Sequence, residues 1–188
     1  MNRKNKYHFT VISLFVVLNT TVHAITMHPD SRMVHANISI GLAYPQIPLS
    51  QFRPPIGITG TIGMQWFLQD RWALYISGNG LNTYSLGTVT GTKATLKYDV
   101  LWIAGNIQYR ITSDFNKQNM LSTGLGLYKL HRQLDLDIDR VNTPGISLGF
   151  ISNTFHRRFG GMFEIRWHLL FKPKDNPQIL TVTYGILI

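Results

Sequence analysis

The chain has 188 residues, 44% of them hydrophobic and 12% aromatic, with 18 basic residues against nine acidic ones and no cysteine. Without cysteine there is no disulfide scaffold and no thiolate metal site. The basic residues are scattered singly, where a nucleic-acid binder would gather them on one face, and no segment after the leader approaches the about 18 uninterrupted apolar residues that a spanning helix needs.

Residues 1–24 read as a secretory signal peptide. Arg3, Lys4 and Lys6 give a positive start, Phe9 to Val17 an apolar run too short to span a bilayer, and Val22-His23-Ala24 a small-x-small cleavage site. Residues 25–188 then form one domain of eight strands, each alternating apolar with polar or small side chains. A strand has a side-chain period of two, so each stretch carries one oily face and one wet face.

The first strand runs from Met33 to Tyr44, with Val34, Ala36, Ile38, Ile40 and Leu42 on the oily face. A loop with Pro45, Pro48, Pro54 and Pro55 follows, on the rule that a strand interior does not tolerate proline. Ile56, Ile58, Ile62, Met64 and Trp66 mark the second strand, and a tight turn at Gln69-Asp70-Arg71 leads to the third, with Trp72, Leu74 and Ile76. Gly78 and Gly80 predict a bulge there. Gly87 to Thr95 reads as a loop. Strand four has Leu101, Ile103, Ile107, Tyr109 and Ile111 on one face and Trp102, Ala104, Asn106, Gln108 and Arg110 on the other. A polar turn, Ser113 to Asn119, precedes strand five, with Leu121, Leu125 and Leu127. An acidic loop with Asp135, Asp137, Asp139 and Arg140 closes at Pro144-Gly145 before strand six, with Ile146, Leu148 and Phe150. A turn from Asn153 to Arg158 leads to strand seven, where Phe159, Phe163, Ile165, Trp167, Leu169 and Phe171 oppose Gly160, Met162, Glu164, Arg166 and His168. Lys172 to Pro177 connects to the last strand, with Leu180, Val182, Tyr184, Ile186 and Ile188.

Eight antiparallel strands behind an export leader predict an all-β, up-and-down transmembrane barrel, closed so that no edge is left unpaired in lipid. A soluble, lipocalin-like ligand-binding barrel would use the same period with the faces exchanged. Here the apolar face is bulky and aromatic, whereas the other is rich in Gly, Ala, Ser and Thr and short of Lys and Glu, which suits lipid outside and a narrow lumen within. Gln65, Tyr75, Asn106, Gln108, Arg110, Glu164 and Arg166 are then expected to form a polar core. Glu164, the only glutamate, is expected to pair with a lumenal arginine, since a lone buried carboxylate is costly. Connections one, three, five and seven are placed outside the cell; they include the proline, Gly/Thr and acidic loops and are longer on average than the turns between them.

In leader, strand count and last strand, the chain resembles the small eight-stranded outer-membrane β-barrel proteins of Gram-negative bacteria, typified by OmpA's membrane domain and OmpX. Tyr184, Ile186 and Ile188 resemble the signal read by the barrel-assembly machinery, although such strands usually end on an aromatic residue. The resemblance implies the outer membrane and insertion by that machinery, but no particular activity. The basic residues at strand ends are expected to meet outer-membrane lipid phosphates or lipopolysaccharide at the membrane rim, and the protein is expected to be a monomer.

Lipid A deacylases of this size carry His-x-Ser-Asn on a late strand. Ser152-Asn153 matches in part, with Phe150 where the histidine would stand, and His156 and Glu164 would have to complete a triad. Glu164, Arg166 and His168 share a face and could make a dyad, but a polar barrel core has the same pattern. Asp135, Asp137 and Asp139 lack the glycine and the further oxygen ligands of a calcium loop. His8, His23, His28, His35, His131, His156 and His168 show no ligand spacing. No catalytic residue, metal or cofactor is therefore assigned. The expected role is structural or surface-interacting, through the outer loops, with a lipid-A-modifying hydrolase as the alternative.

Overall fold

The computed structural model describes residues 34–46, 56–69, 71–89, 92–112, 117–134, 137–155, 160–172 and 176–188. The leader with its cleavage site at Ala24 lies outside the described residues, as do Pro48, Pro54, Pro55, Asp70, Asp135, His156 and Phe159. The strands are β1 (Val34–Gln46), β2 (Ile56–Gln69), β3 (Trp72–Val89), β4 (Thr92–Arg110), β5 (Lys117–Leu134), β6 (Asp137–Phe155), β7 (Gly160–Leu170) and β8 (Gln178–Leu187). Each pairs antiparallel with the next, and β1 pairs with β8, so the sheet closes as an eight-stranded up-and-down barrel. Closure extends to the last residue, with Ile188 N–H donating to Ala36 O (2.8 Å) and Ala36 N–H to Ile188 O (3.0 Å).

The period-two pattern sorts the faces as expected. Along β8, Ile179, Thr181, Thr183 and Leu187 are buried while Leu180, Val182, Tyr184 and Ile186 are exposed. Along β4, Val100, Trp102, Ala104, Asn106 and Gln108 point inward, and Leu101, Ile103 and Ile107 outward. Leu127, at 73% exposed, and Leu125, at 71%, are typical of the outer belt. A soluble barrel would hold such residues inside. A contiguous apolar belt of this extent fits lipid and would be an aggregation liability in water.

Several boundaries differ from the sequence reading. The end opposite Val34 and Ile188, called the upper end below, is built from strand rather than loop. The β3–β4 ladder continues to the pair Val89↔Thr92, and the β5–β6 ladder to Leu134↔Asp137. Most of the Gly/Thr segment and of the acidic segment is therefore hairpin, and strands of 18 and 19 residues rise above the belt. Likewise Asn153 to Phe155 belong to β6, paired with β7.

Two prolines sit in strands for a geometric reason. A residue's N–H and C=O point to the same neighbouring strand. Ala36 faces β8, so the odd-numbered Pro45 faces β2, where pairing has already ended at Ala43↔Gly57. Pro144 accepts from Phe171 N–H at 2.9 Å and so faces β7, whose last pair with β6 is Gly145↔Leu170. Among the described residues no β2 residue is paired opposite Pro45, and the Phe171 carbonyl opposite Pro144 accepts from Thr143 Oγ1 at 2.7 Å in place of the missing N–H. The register runs unbroken through Gly78 and Gly80, which lie outward with neighbours on both sides. The irregularity lies between Phe67 and Gln69, beside the tight turn, where Leu68 is skipped in the pairing.

Candidate functional site

The barrel offers two places where chemistry or binding could occur, the lumen and the upper rim. In the lumen the inward side chains form three layers. At the lower end Met120, Ile151, Met162 and Leu187 cluster with Phe67 and Phe155. His35 lies against both phenylalanines, at centroid distances of 5.6 and 5.5 Å, and the Arg110 guanidinium stands 4.9 Å from the centre of the Phe67 ring.

The middle layer is polar. Arg166 Nε donates to Glu164 Oε1, which is the carboxylate–arginine pair expected from the sequence. Arg166 Nη1 also donates to Asn106 Oδ1 and, at 3.3 Å, to Ser147 Oγ, while Ser147 Oγ donates to Asn106 Oδ1 at 2.8 Å. Gln65 Nε2 donates to Gln108 Oε1, and Asn153 Nδ2 reaches Gln65 Oε1 at 3.5 Å. Glu164 and Arg166 are both 4% exposed. A buried ion pair held by further hydrogen bonds is costly to break, because either partner alone would leave a buried charge uncompensated.

The upper layer was not foreseen. Ala43, Leu81, Tyr98, Val100, Trp102, Ala104, Tyr128, Leu130, Leu170 and Ile179 form one buried cluster. Tyr128 stacks on Trp102 (5.8 Å, 20°), and its hydroxyl meets His168 Nδ1 at 2.9 Å. Gly126 and Gly145 make room for it, since a Cβ on either would stand 2.9 or 2.8 Å from the Tyr128 ring. A signal for this layer exists in the sequence: Val100-Leu101-Trp102-Ile103-Ala104 is apolar at both parities. A largely apolar layer, with His35 and Arg110 set against its phenylalanines at the lower end, thus caps each end of a polar centre.

This placement separates the candidate catalytic groups. Glu164 and His168 share a face but stand four residues apart on a strand, about 13 Å along it, and each is engaged elsewhere, Glu164 by Arg166 and His168 by Tyr128. Ser152 alternates with buried Ile151 and Asn153 and pairs with Phe163, which puts it on the outward face, across the sheet from lumenal Glu164. Ser152 and Glu164 are not brought together, and His156 is outside the described residues. Among the described residues no three His, Asp or Glu are grouped as metal ligands.

At the upper rim, charged residues meet above the belt. Asp139 of the third outer hairpin is engaged by Lys172 Nζ at 2.8 Å and by Arg132 Nη2 at 3.5 Å. The hydrogen bond from Lys172 is the leading cause that holds its carboxyl below the usual range; partial burial opposes it, and the positive charges of Lys172 and Arg132 add to it. On the outer face Asp99 accepts from Asn82 Nδ2 and lies 3.1 Å from Lys97 Nζ and 3.7 Å from His131 Nδ1. Asp99 and its partners were not singled out in the sequence, although Lys97-Tyr98-Asp99 puts two opposite charges on one strand face.

No family model and no curated protein matches the sequence. Among solved structures the barrel is similar to neisserial surface protein A, with a TM-score of 0.64 over 85% of this chain and 99% of that one, at 10% identity. It is also similar to Ail, the attachment invasion locus protein of Yersinia pestis (TM-score 0.51, 81% of this chain and 96% of that one, 13% identity), and to the outer membrane protein OprG from Pseudomonas aeruginosa (0.51, 86% and 99%, 10%). At such identities the likeness concerns the fold. The chain has the eight-stranded fold of bacterial outer-membrane β-barrels.

Proposed function

We propose that this chain is a non-enzymatic barrel of the bacterial outer membrane whose work is done at its outward end, as a structural or surface-interacting protein. The observation that carries this reading is the division of the molecule. The lumen is filled by a locked polar layer between two largely apolar layers, whereas the β3–β4 and β5–β6 hairpins rise beyond the belt with their charged groups in reach of solvent. A transporter needs a continuous wet path, and a hydrolase needs its nucleophile, base and carboxylate together. The exported leader at 1–24 and insertion by the barrel-assembly machinery through β8, as a monomer, complete the reading.

Two measurements test it. The purified barrel in a planar bilayer should give no unitary conductance, and lipid A from cells with and without the gene should have the same mass spectrum. Steady ion conduction would contradict the closed lumen. A lost or altered acyl chain would replace this reading with the lipid-A hydrolase.

A further inference from the structure

The outer face of β4, β5 and β6 carries a basic patch in two adjacent rows just above the apolar belt. The pairings Asp99↔His131 and His131↔Arg140 place these three residues in one row across the strands. The row below it is Leu101, Lys129 and Asn142, and the next is Ile103, Leu127 and Pro144, where the apolar belt begins. Lys129 and Arg140 are exposed, and among the described residues neither has an ion-pair partner. They are diagonal neighbours, a relation that sets residues about 7–8 Å apart with their Cβ atoms somewhat closer, so two long side chains can converge on one group between them. The carboxylate of Asp99 is occupied by Lys97 and Asn82, which leaves the patch net positive. The described outward residues at the upper ends of β1, β2 and β8 include no basic residue; Gln46, Ile56 and Gln178 stand there.

We infer that this patch binds the phosphate of a phosphorylated glycolipid in the outer leaflet, with Lys129 and Arg140 as its ligands and Asn142 beside them. Charge complementarity favours an anion, and position makes that anion a lipid's. Whatever sits on Lys129 lies directly above Leu127, Leu125 and Ile103, which are 73%, 71% and 67% exposed. A molecule with a phosphate above and acyl chains below fills both surfaces at once, and a soluble anion fills one. Paired charge-assisted bonds to phosphate are strong when water is partly excluded. The inference rests on the outer-membrane reading above and adds a site to it.

The test uses the full barrel inserted into phosphatidylcholine vesicles doped with lipid A carrying both phosphates, or with enzymatically dephosphorylated lipid A. Lipid A retained per barrel after detergent extraction is counted by mass spectrometry, and a boiled/unboiled gel on the same samples checks folding. Phosphorylated lipid A should be retained roughly tenfold better than the dephosphorylated form, and that preference should fade as salt rises. Lys129→Ala with Arg140→Ala should lower retention to the dephosphorylated level, Lys129→Arg should keep it, and Lys117→Ala, at the other end of β5, should leave it unchanged. Equal retention of the two lipids by the unmodified barrel, or unchanged retention by the folded double variant, would overturn the site while leaving the membrane barrel intact. Failure of the unmodified barrel to insert at all would overturn both.

Discussion

At the scale of single residues, the polar layer decides how the lumen is held. Glu164 was legible as a buried carboxylate in need of a cation, because its strand places it inward and the chain contains no other glutamate. Its partner was not legible, since Arg110 and Arg166 share the inward parity and only the folded register places Arg110 over Phe67 and Arg166 beside Glu164. Arg166→Ala should destabilise the barrel by about 3–5 kcal/mol, the cost of stranding a buried charge. The double change Glu164→Gln with Arg166→Met should recover most of that loss, because no charge is then left unpaired. Urea unfolding in lipid vesicles, followed by tryptophan fluorescence, measures both. Gly124 makes a second test. A Cβ there would collide with the Asn106 side chain and the Gly105 carbonyl, so Gly124→Val should cost about 1–3 kcal/mol through overpacking, whereas outward-facing Gly78, with open space beside it, should accept alanine with little change.

At the scale of strands and hairpins, period two revealed which side chains share a face along every strand but not where the strands end. Gly, Thr, Asp and Pro suggest loops, yet Thr suits a strand, and a proline is harmless where its missing N–H leaves no acceptor unfilled. That depends on the register, which a single strand's sequence does not contain. The belt itself predicts a depth effect. Ile107→Arg, near the middle of the outward run of β4, should cost about 2–4 kcal/mol, and Leu101→Arg, at its upper edge, about 0–1 kcal/mol. Equal costs in vesicle refolding would mean that the belt is misplaced. Above the belt, Lys172 ties the β5–β6 hairpin to the end of β7 through Asp139. Lys172→Ala should speed amide exchange in the upper parts of β5 and β6 and leave their lower halves unchanged. Because the folded Asp139 carboxyl titrates below its ordinary value, this tie is fully present above about pH 4 and is lost as the pH falls through the lower folded value. Asp139 is largely open to solvent, so the effect is local and weakens with salt.

At the scale of the whole molecule, the sequence shows a closed barrel with lipid outside, because eight alternating stretches with an even count and a bulky apolar face have few other solutions in a membrane. The two largely apolar layers were harder to see. Alternation assigns a side chain to a face, but only the closed structure shows that Trp102, Tyr128 and Leu170 from three strands meet at one height. The most direct test of the central claim is fractionation of expressing cells, with the envelope fraction run unboiled and boiled on a denaturing gel. A closed barrel with its β1–β8 seam intact resists the detergent until heated. The protein should therefore appear in the outer-membrane fraction as a band whose mobility changes on boiling. A band in the aqueous fraction, unshifted by heat, would contradict both the membrane location and the sealed barrel.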